Sequence, residues 1–347
     1  MISFKNDYSE GAHNNIMEAL VKTNLIQCEG YGEDEYCSKA AEFIKKKIGR
    51  EDVFVHFLTG GTQTNLTAIS SFLRPHEAVV GANTCHVAVH ETGAIEATGH
   101  KVLTIDVADG KIEPSHVKAV LEGHPDEHMV KPKLVYISNS TEVGTIYNKR
   151  ELEELSTFCK ENNLFLYLDG ARLGSALCAK GNDITLLDLA NLTDAFYIGG
   201  TKNGALLGEA LVICNKTLEE DFRYLMKQKG GLLAKGRVVG IQFMELFRDN
   251  LYFDIAAHEN NMIDLLKAGI EEMGFKFITD SPTNQIFPVF PNEIIKELEK
   301  DYAFHIWGKE TDESSSIRLV TSWATKEEAV KGFISKLKEL KDQMQIY

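Results

Sequence analysis

Two hydrophobic rhythms alternate along most of the chain. Short, dense apolar runs rich in Val, Ile and aromatic residues read as strands, and longer stretches with apolar residues every three or four positions read as amphipathic helices. After a polar opening with one short helix at Ile16–Leu25, a helix over Ser38–Ile48 puts Ala40, Ala41, Ile44 and Ile48 on one face. Strands are expected at Val53–Leu58, Ala78–Gly81, Lys101–Asp106, Leu134–Ser138, Leu164–Leu168 and Ala195–Ile198. Between them the pattern predicts a helix through Leu66, Ile69 and Phe72 that stops near Pro75, then helices at His86–Ala97, Ser115–Glu122 and Asn148–Asn162. Asn148 and Glu151 have the spacing of a capping box. Strand and helix alternating at this interval predict an α/β fold: a mainly parallel sheet with helices on both faces.

A strand at Leu206–Cys214 closes the sheet, and helical patterns run from Leu218 to Met273. The remainder reads as strand, strand, helix, strand, helix: Phe275–Ile278, Gln285–Phe290, Asn292–Asp301, Ile317–Thr321 and Thr325–Met344, the last opening on a Thr325/Glu328 capping box. This is a small α+β domain with too little apolar surface to stand alone. A chain of 347 residues is long for one core. The expected division is an N-terminal arm over 1–30, a large domain over 31–245 and a small domain over 246–347 against which the arm can pack. No internal repeat, low-complexity stretch or linker is evident.

A net charge of −14 argues against a nucleic-acid partner. The six cysteines are scattered and form no CxxC pair, which speaks against structural zinc or a disulfide framework and suits a reducing cytoplasm. No metal site is therefore expected. The opening MISFKNDYSEGAHNN lacks the apolar core of a signal peptide, and no apolar run approaches the ~20 residues of a membrane span.

Two strand ends carry the chemistry. Asp169 directly follows the run Leu164–Leu168, and Lys202 follows Gly199, Gly200 and Thr201 at the end of the next run, 33 positions on. In open α/β sheets, ligands sit at the carboxyl ends of strands. An acid at one tip and a lysine at another is the pair that pyridoxal 5'-phosphate needs: the lysine forms a Schiff base, and the acid keeps a proton on the pyridine nitrogen. A lysine in a desolvated pocket beside cations loses basicity and becomes a usable nucleophile. A carboxylate capping five apolar residues must find a partner. Thr59-Gly60-Gly61-Thr62 joins a strand to a helix, where free N–H groups and the helix dipole suit a phosphate. The same turn could merely reverse the chain.

LDGARL and GGTKNG at these tips, with YGED and STEVGTIY upstream, resemble the low-specificity L-threonine aldolases, which belong to the aspartate-aminotransferase-like (fold type I) pyridoxal-phosphate enzymes. The likeness runs from Asn6-Asp7 to Arg318 and is strongest to the branch that also cleaves phenylserine. It implies a seven-stranded sheet, the cofactor on Lys202 with Asp169 at its ring nitrogen, and a phosphate cup at Gly60, Gly61 and Thr62. It implies that His86 stacks on the pyridine ring and that Arg172 and Arg318 hold the amino-acid carboxylate, assisted by Asn6. Tyr31 and Lys235, with Arg237 nearby, match positions that face a neighbouring subunit's cofactor, so a homodimer or homotetramer with shared active sites is implied.

The implied reaction is cleavage of L-threonine, L-allo-threonine or related β-hydroxy-α-amino acids, phenylserine included, to glycine and an aldehyde. The sequence departs from the family at one point. Many members carry a histidine where Thr141 stands here, and threonine is a poor base. His86, Glu142 or an ordered water is left to take the β-hydroxyl proton. His90, one turn beyond His86, either reaches the same site or is simply exposed. The rival readings on the same cofactor are β-elimination, desulfuration and transamination, and a non-catalytic cofactor carrier is a more remote one. A nicotinamide dehydrogenase is disfavoured because no GxGxxG follows any strand.

Overall fold

The computed structural model describes residues 1–343. Seven strands form the principal sheet: β1 (Phe54–Leu58), β2 (Glu77–Ala82), β3 (Val102–Ile105), β4 (Lys131–Ser138), β5 (Phe165–Asp169), β6 (Ala195–Gly199) and β7 (Glu209–Ile213). Their spatial order is β1-β7-β6-β5-β4-β2-β3. Only β7 is reversed, pairing antiparallel with both β1 and β6, so the sheet is mostly parallel as the alternation predicts. Every residue of β2, β6 and β7 is buried. Successive side chains point to opposite faces, so such strands are covered on both sides.

The helices preceding and linking these strands are α1 (Asn14–Thr23), α2 (Glu35–Ile48), α3 (Gly61–Phe72), α4 (His86–Val89), α5 (Pro114–Glu122), α6 (Lys149–Glu161), α7 (Leu173–Leu177) and α8 (Leu186–Leu192). The capping box of α6 forms in both directions: Glu151 N donates to Asn148 Oδ1 (2.9 Å), and Asn148 N donates to Glu151 Oε2 (3.0 Å). The expected helix His86–Ala97 does not form whole. It stops after one turn because Thr92 (φ 53°) and Gly93 (φ 71°) take left-handed conformations, and only a short 3₁₀ turn follows at Glu96–Thr98. That break tucks Glu91 into the interior.

Past β7 come α9 (Phe222–Gln228), α10 (Arg237–Arg248) and the long α11 (Leu251–Glu272). The first turns of α11 bury Tyr252 and Ile255 in the core of the large sheet, and its later turns bury Ile263, Leu266 and Ile270 in a second apolar cluster. Phe4, from the N-terminal arm, joins that second cluster, and Ile2–Ser3 pairs in parallel with Tyr302–Ala303.

A smaller antiparallel sheet is built from β8 (Gln285–Ile286), β9 (Val289–Pro291), β10 (His305–Lys309) and β11 (Ser314–Val320), with β11 at its centre. Several sequence expectations are corrected here. Phe275–Ile278 forms no strand, only an isolated bridge from Phe277 to Pro288. The run Gln285–Phe290 splits into β8 and β9 at Phe287-Pro288, where proline lacks the N–H a ladder needs. The strand β10 was not expected. The following helices are α12 (Asn292–Leu298) and α13 (Glu327–Gln343), and the expected last residue, Met344, lies outside the described residues. The Thr325 hydroxyl accepts from Ser322 N (2.8 Å), so it turns the preceding loop rather than closing a box with Glu328.

Candidate active site

The tips of β5 and β6 meet because two glycines let their backbones touch. A Cβ on Gly170 would lie 1.9 Å from the Tyr197 carbonyl oxygen, and one on Gly199 would lie 2.3 Å from that of Ala171. Gly199 N donates to Gly170 O at 3.0 Å across this junction. The close approach sets Asp169 and Lys202 on the wall of one cavity of about 330 Å³. Gly60, Gly61, Thr62, His86, Glu142 and Arg172 line the same cavity.

Asp169 is buried and well supplied with donors. Its Oδ1 accepts from Ala171 N (2.9 Å), and its Oδ2 accepts from Asn65 Nδ2 (3.0 Å) and the Tyr136 hydroxyl. Burial pushes its pKa up, but His86 and the bonds from Tyr136, Tyr197 and Asn65 outweigh that and hold it below the usual carboxylate range. Lys202 makes no hydrogen bond or ion pair among the described residues. Burial and the nearby Arg172 lower its pKa, against the pull of Asp7, Asp169 and Glu209. Its amine is thus biased toward the neutral, nucleophilic form.

Gly60 opens α3 with no side-chain cap, and a Cβ there would meet nothing within 4 Å. The first-turn N–H groups of α3 are left for whatever fills the cavity. His86 turns Nδ1 toward Glu91 Oε1 (2.8 Å). Glu142 Oε1 accepts from His86 N (2.9 Å) and from Ser138 Oγ (2.8 Å), and burial and Asp169 raise its pKa. Thr141, in the place of the family's histidine, is buried and bonded to Thr145.

A second cavity of about 660 Å³ shares His86, Glu142, Arg172 and Lys202 with the first. His90, His305, Trp307 and Arg318 complete its wall, so exposed His90 does reach the site's outer part. The two arginines differ. Arg172 holds Asp7 in a two-pronged pair, Nε to Oδ2 at 2.7 Å and Nη2 to Oδ1 at 3.0 Å, so its fork is already engaged. Arg318 has no acidic partner among the described residues. Its guanidinium lies over the Trp307 ring, 5.3 Å from the centroid, Nη2 makes one long bond to Lys5 O (3.4 Å), and Nε is buried and unpartnered. Burial and Arg172 lower its pKa.

Four expected residues lie elsewhere. Asn6 lines neither cavity; its side chain accepts from Tyr8 N (3.0 Å) and Ser9 Oγ (2.9 Å), and its neighbours Asp7 and Tyr8 face the site instead. Tyr31 is half exposed with Lys227 over its ring, on a different cleft. Lys235 lies on a third. Arg237 lines the same cleft as Lys235 and clasps the N-terminal arm through the carbonyls of Ile26 and Thr23.

The sequence reading missed Asp7, Asn65, Glu91, Tyr136 and Glu209. Asn65 was detectable as a polar residue four positions before Ile69 on the apolar side of α3; the others gave no local signal. Glu209 is buried, accepts from Gly200 N (2.9 Å) and Thr201 Oγ1 (2.9 Å), and is pushed by burial up to about 7.

Residues 7–292 match the family model for beta-eliminating lyases. The chain belongs to that family. The low-specificity L-threonine aldolase of a Pseudomonas species is 32% identical over 332 residues, covering 94% of each chain, and that of Pseudomonas aeruginosa is 30% identical over 300 residues, covering 86% of this chain and 84% of the relative. Among solved structures, a Leishmania major threonine aldolase superposes with a TM-score of 0.97 at 50% identity, covering 98% of this chain and 99% of that one. A Thermus thermophilus aspartate aminotransferase variant superposes at 0.72 with 14% identity, covering 98% and 91%, a likeness of fold alone. This member of the family thus has the fold type I architecture, and family and fold together imply dependence on pyridoxal phosphate.

Proposed function

We propose that this protein is a pyridoxal-phosphate-dependent aldolase that cleaves L-threonine, L-allo-threonine and related β-hydroxy-α-amino acids, phenylserine included, to glycine and an aldehyde. The observation that carries this reading is the pairing of a cavity holding both Lys202 and Asp169 with Arg318 on the adjoining cavity, where it has no acidic partner among the described residues. When bound, the cofactor supplies the sink for the electron pair released as the Cα–Cβ bond breaks.

The donor set fits that cofactor. Lys202 would hold its aldehyde carbon, Asp169 its ring N–H, the first turn of α3 at Gly60–Thr62 its phosphate, and His86 would cover a ring face. Arg318 would take the substrate carboxylate. Fixing that carboxylate fixes which bond at Cα stands perpendicular to the ring, so bond choice is a matter of orientation. Arg172, engaged with Asp7, would contribute positive charge rather than a free fork. His86 or Glu142 would take the β-hydroxyl proton in place of the missing histidine.

Tyr31 and Lys235 line clefts away from this chain's own cavity, which suits service to a neighbouring subunit in a homodimer or homotetramer. The two larger apolar clusters support a large and a small domain, although the first reaches past residue 245 to Tyr252 and Ile255, and the arm divides between them, Ile16 in the first and Phe4 in the second. Six free cysteines accord with a cytoplasmic location, and no described helix is long and apolar enough to cross a membrane.

The test is the absorbance of the purified protein together with product analysis. Wild type is expected to show the band of a lysine-bound cofactor and to release acetaldehyde and glycine from threonine. Lys202→Ala is expected to lose both. Pyruvate or ammonia from serine or cysteine, without acetaldehyde from threonine, would instead assign β-elimination.

A further inference from the structure

The break in the helix after His86 creates a buried contact that the reaction outlined above does not yet use. The Glu91 side chain has no exposed surface, yet it carries a carboxylate. Among the described residues, all of its polar contact passes through one oxygen: Oε1 receives His86 Nδ1 at 2.8 Å and Asn65 Nδ2 at 2.7 Å, while Oε2 is buried without a partner. Asn65 Nδ2 also reaches Asp169 Oδ2 at 3.0 Å, and the Tyr167 hydroxyl donates to Asn65 Oδ1 at 3.1 Å. The amide orientation of Asn65 follows from this. Turned the other way, its oxygen would face two carboxylate oxygens.

Glu91 Oε1 is therefore an acceptor twice over, and the imidazole nitrogen facing it must carry a proton. With the proton on Nδ1, the lone pair of a neutral His86 lies on Nε2. That nitrogen has no hydrogen-bond partner among the described residues, and the ring lines both cavities. The charged and titratable groups around the ring are Glu91, Glu142 at its backbone N–H, Asp169 and His90, whose ring centroid lies 5.5 Å away.

We propose that Glu91, steered by Asn65, is a positioning residue that locks His86 with its proton on Nδ1, so that bare Nε2 accepts the β-hydroxyl proton of the substrate. The proposal rests on the aldolase reading. In the step, the O–H bond of the β-hydroxyl breaks and an N–H bond forms at Nε2. The oxygen pair becomes the C=O of the departing aldehyde, and the Cα–Cβ pair stays with Cα, which takes a proton from solvent to become glycine while Nε2 returns its proton to solvent. A histidine whose second nitrogen is held by a buried acceptor has one tautomer and one ring orientation, which a proton acceptor needs. Asn65 donates to both Glu91 and Asp169, so the groups meant for the ring nitrogen and for the substrate hydroxyl share one buried network. This fills the place left by Thr141 with a histidine already present.

The experiment is solid-state NMR of substrate-free holoenzyme labelled with ¹³C,¹⁵N-histidine, the His86 signals being assigned by their loss in His86→Phe. Kinetics with threonine are run on the same preparations. Wild type is expected to show Nδ1 protonated and Nε2 bare. Glu91→Leu is expected to move the proton to Nε2 and to lower kcat about 10²-fold with KM little changed. Glu91→Asp is expected to restore the wild-type tautomer and most of kcat. A protonated Nε2 in wild type overturns the proposal whatever the variants do, and so does a Glu91→Leu protein with unchanged tautomer or unchanged kcat. A wild type with bare Nε2 that cleaves no threonine defeats the aldolase reading, and the acceptor role falls with it while the lock itself stands.

Discussion

The inner and outer halves of the site are built on opposite terms. Inside, where the large sheet ends, Asp169 and Arg172 are answered from within the chain: Asp169 accepts from Ala171 N, Asn65 and Tyr136, and Arg172 has both carboxylate oxygens of Asp7. Outside, where the small sheet forms the wall, Arg318 keeps a buried N–H with no acceptor among the described residues. A protein leaves a buried charge unanswered only at a cost. On the reading proposed above, the inner half is a preorganised frame and the outer half a socket for the substrate carboxylate. Two arginines that look alike in the sequence thus differ in structure: Arg172 is tied to Asp7, and Arg318 has no acidic partner among the described residues.

The contrast can be broken by experiment. Arg318→Leu should have the largest effect, lowering kcat/KM for threonine about 10³-fold, since two charge-assisted bonds to the substrate carboxylate disappear. Its fold should hold, because no protein carboxylate loses a partner. Denaturant midpoint and kinetics measured together separate the two halves: a variant that unfolds early while keeping kcat/KM would make Arg318 structural. Asp7→Asn should do the reverse. It leaves Arg172 buried and unanswered, at a cost of about 3 kcal/mol in urea unfolding, and unchanged stability would show that the pair carries little.

Per pH unit, the smallest expected effect is a pH dependence at Glu209. Its folded pKa, about 7, lies above the usual value near 4.5, so the folded state binds the proton more tightly. The stability this group contributes is fully present below that usual value and is lost as pH rises through about 7, by on the order of 1 kcal/mol per pH unit. Glu209→Gln should flatten that slope. Urea melts of both proteins across the window check it, and parallel slopes would rule out Glu209 as the source.

The meeting of Asp169 and Lys202 on one cavity was legible because each is announced locally. Asp169 ends an apolar run, Lys202 follows a glycine pair, and the carboxyl end of a parallel sheet is where such residues converge. The seven-stranded sheet was legible for a similar reason, since its strands are short, dense and regularly spaced. The small sheet was harder. Pro288 splits what the pattern reads as one strand, and β10, with its polar and aromatic mixture His305–Lys309, carries no alternation strong enough to announce itself. The helix from His86 was overextended because left-handed Thr92 is invisible in a hydrophobicity pattern.

By itself, the sequence determined which groups could do chemistry and which backbone rhythm would carry them, because strand ends, glycine turns and apolar periodicity are local properties. Pairing was decided only by the tertiary structure. Asp7 meets Arg172 across 165 positions, Asn65 meets Asp169 across 104, and Glu91 is buried by a helix break rather than by its own polarity. A charged side chain reads the same in sequence whether or not it has a partner. Its partner is chosen by packing between segments far apart in the chain, and that choice separates a tie from a binding group.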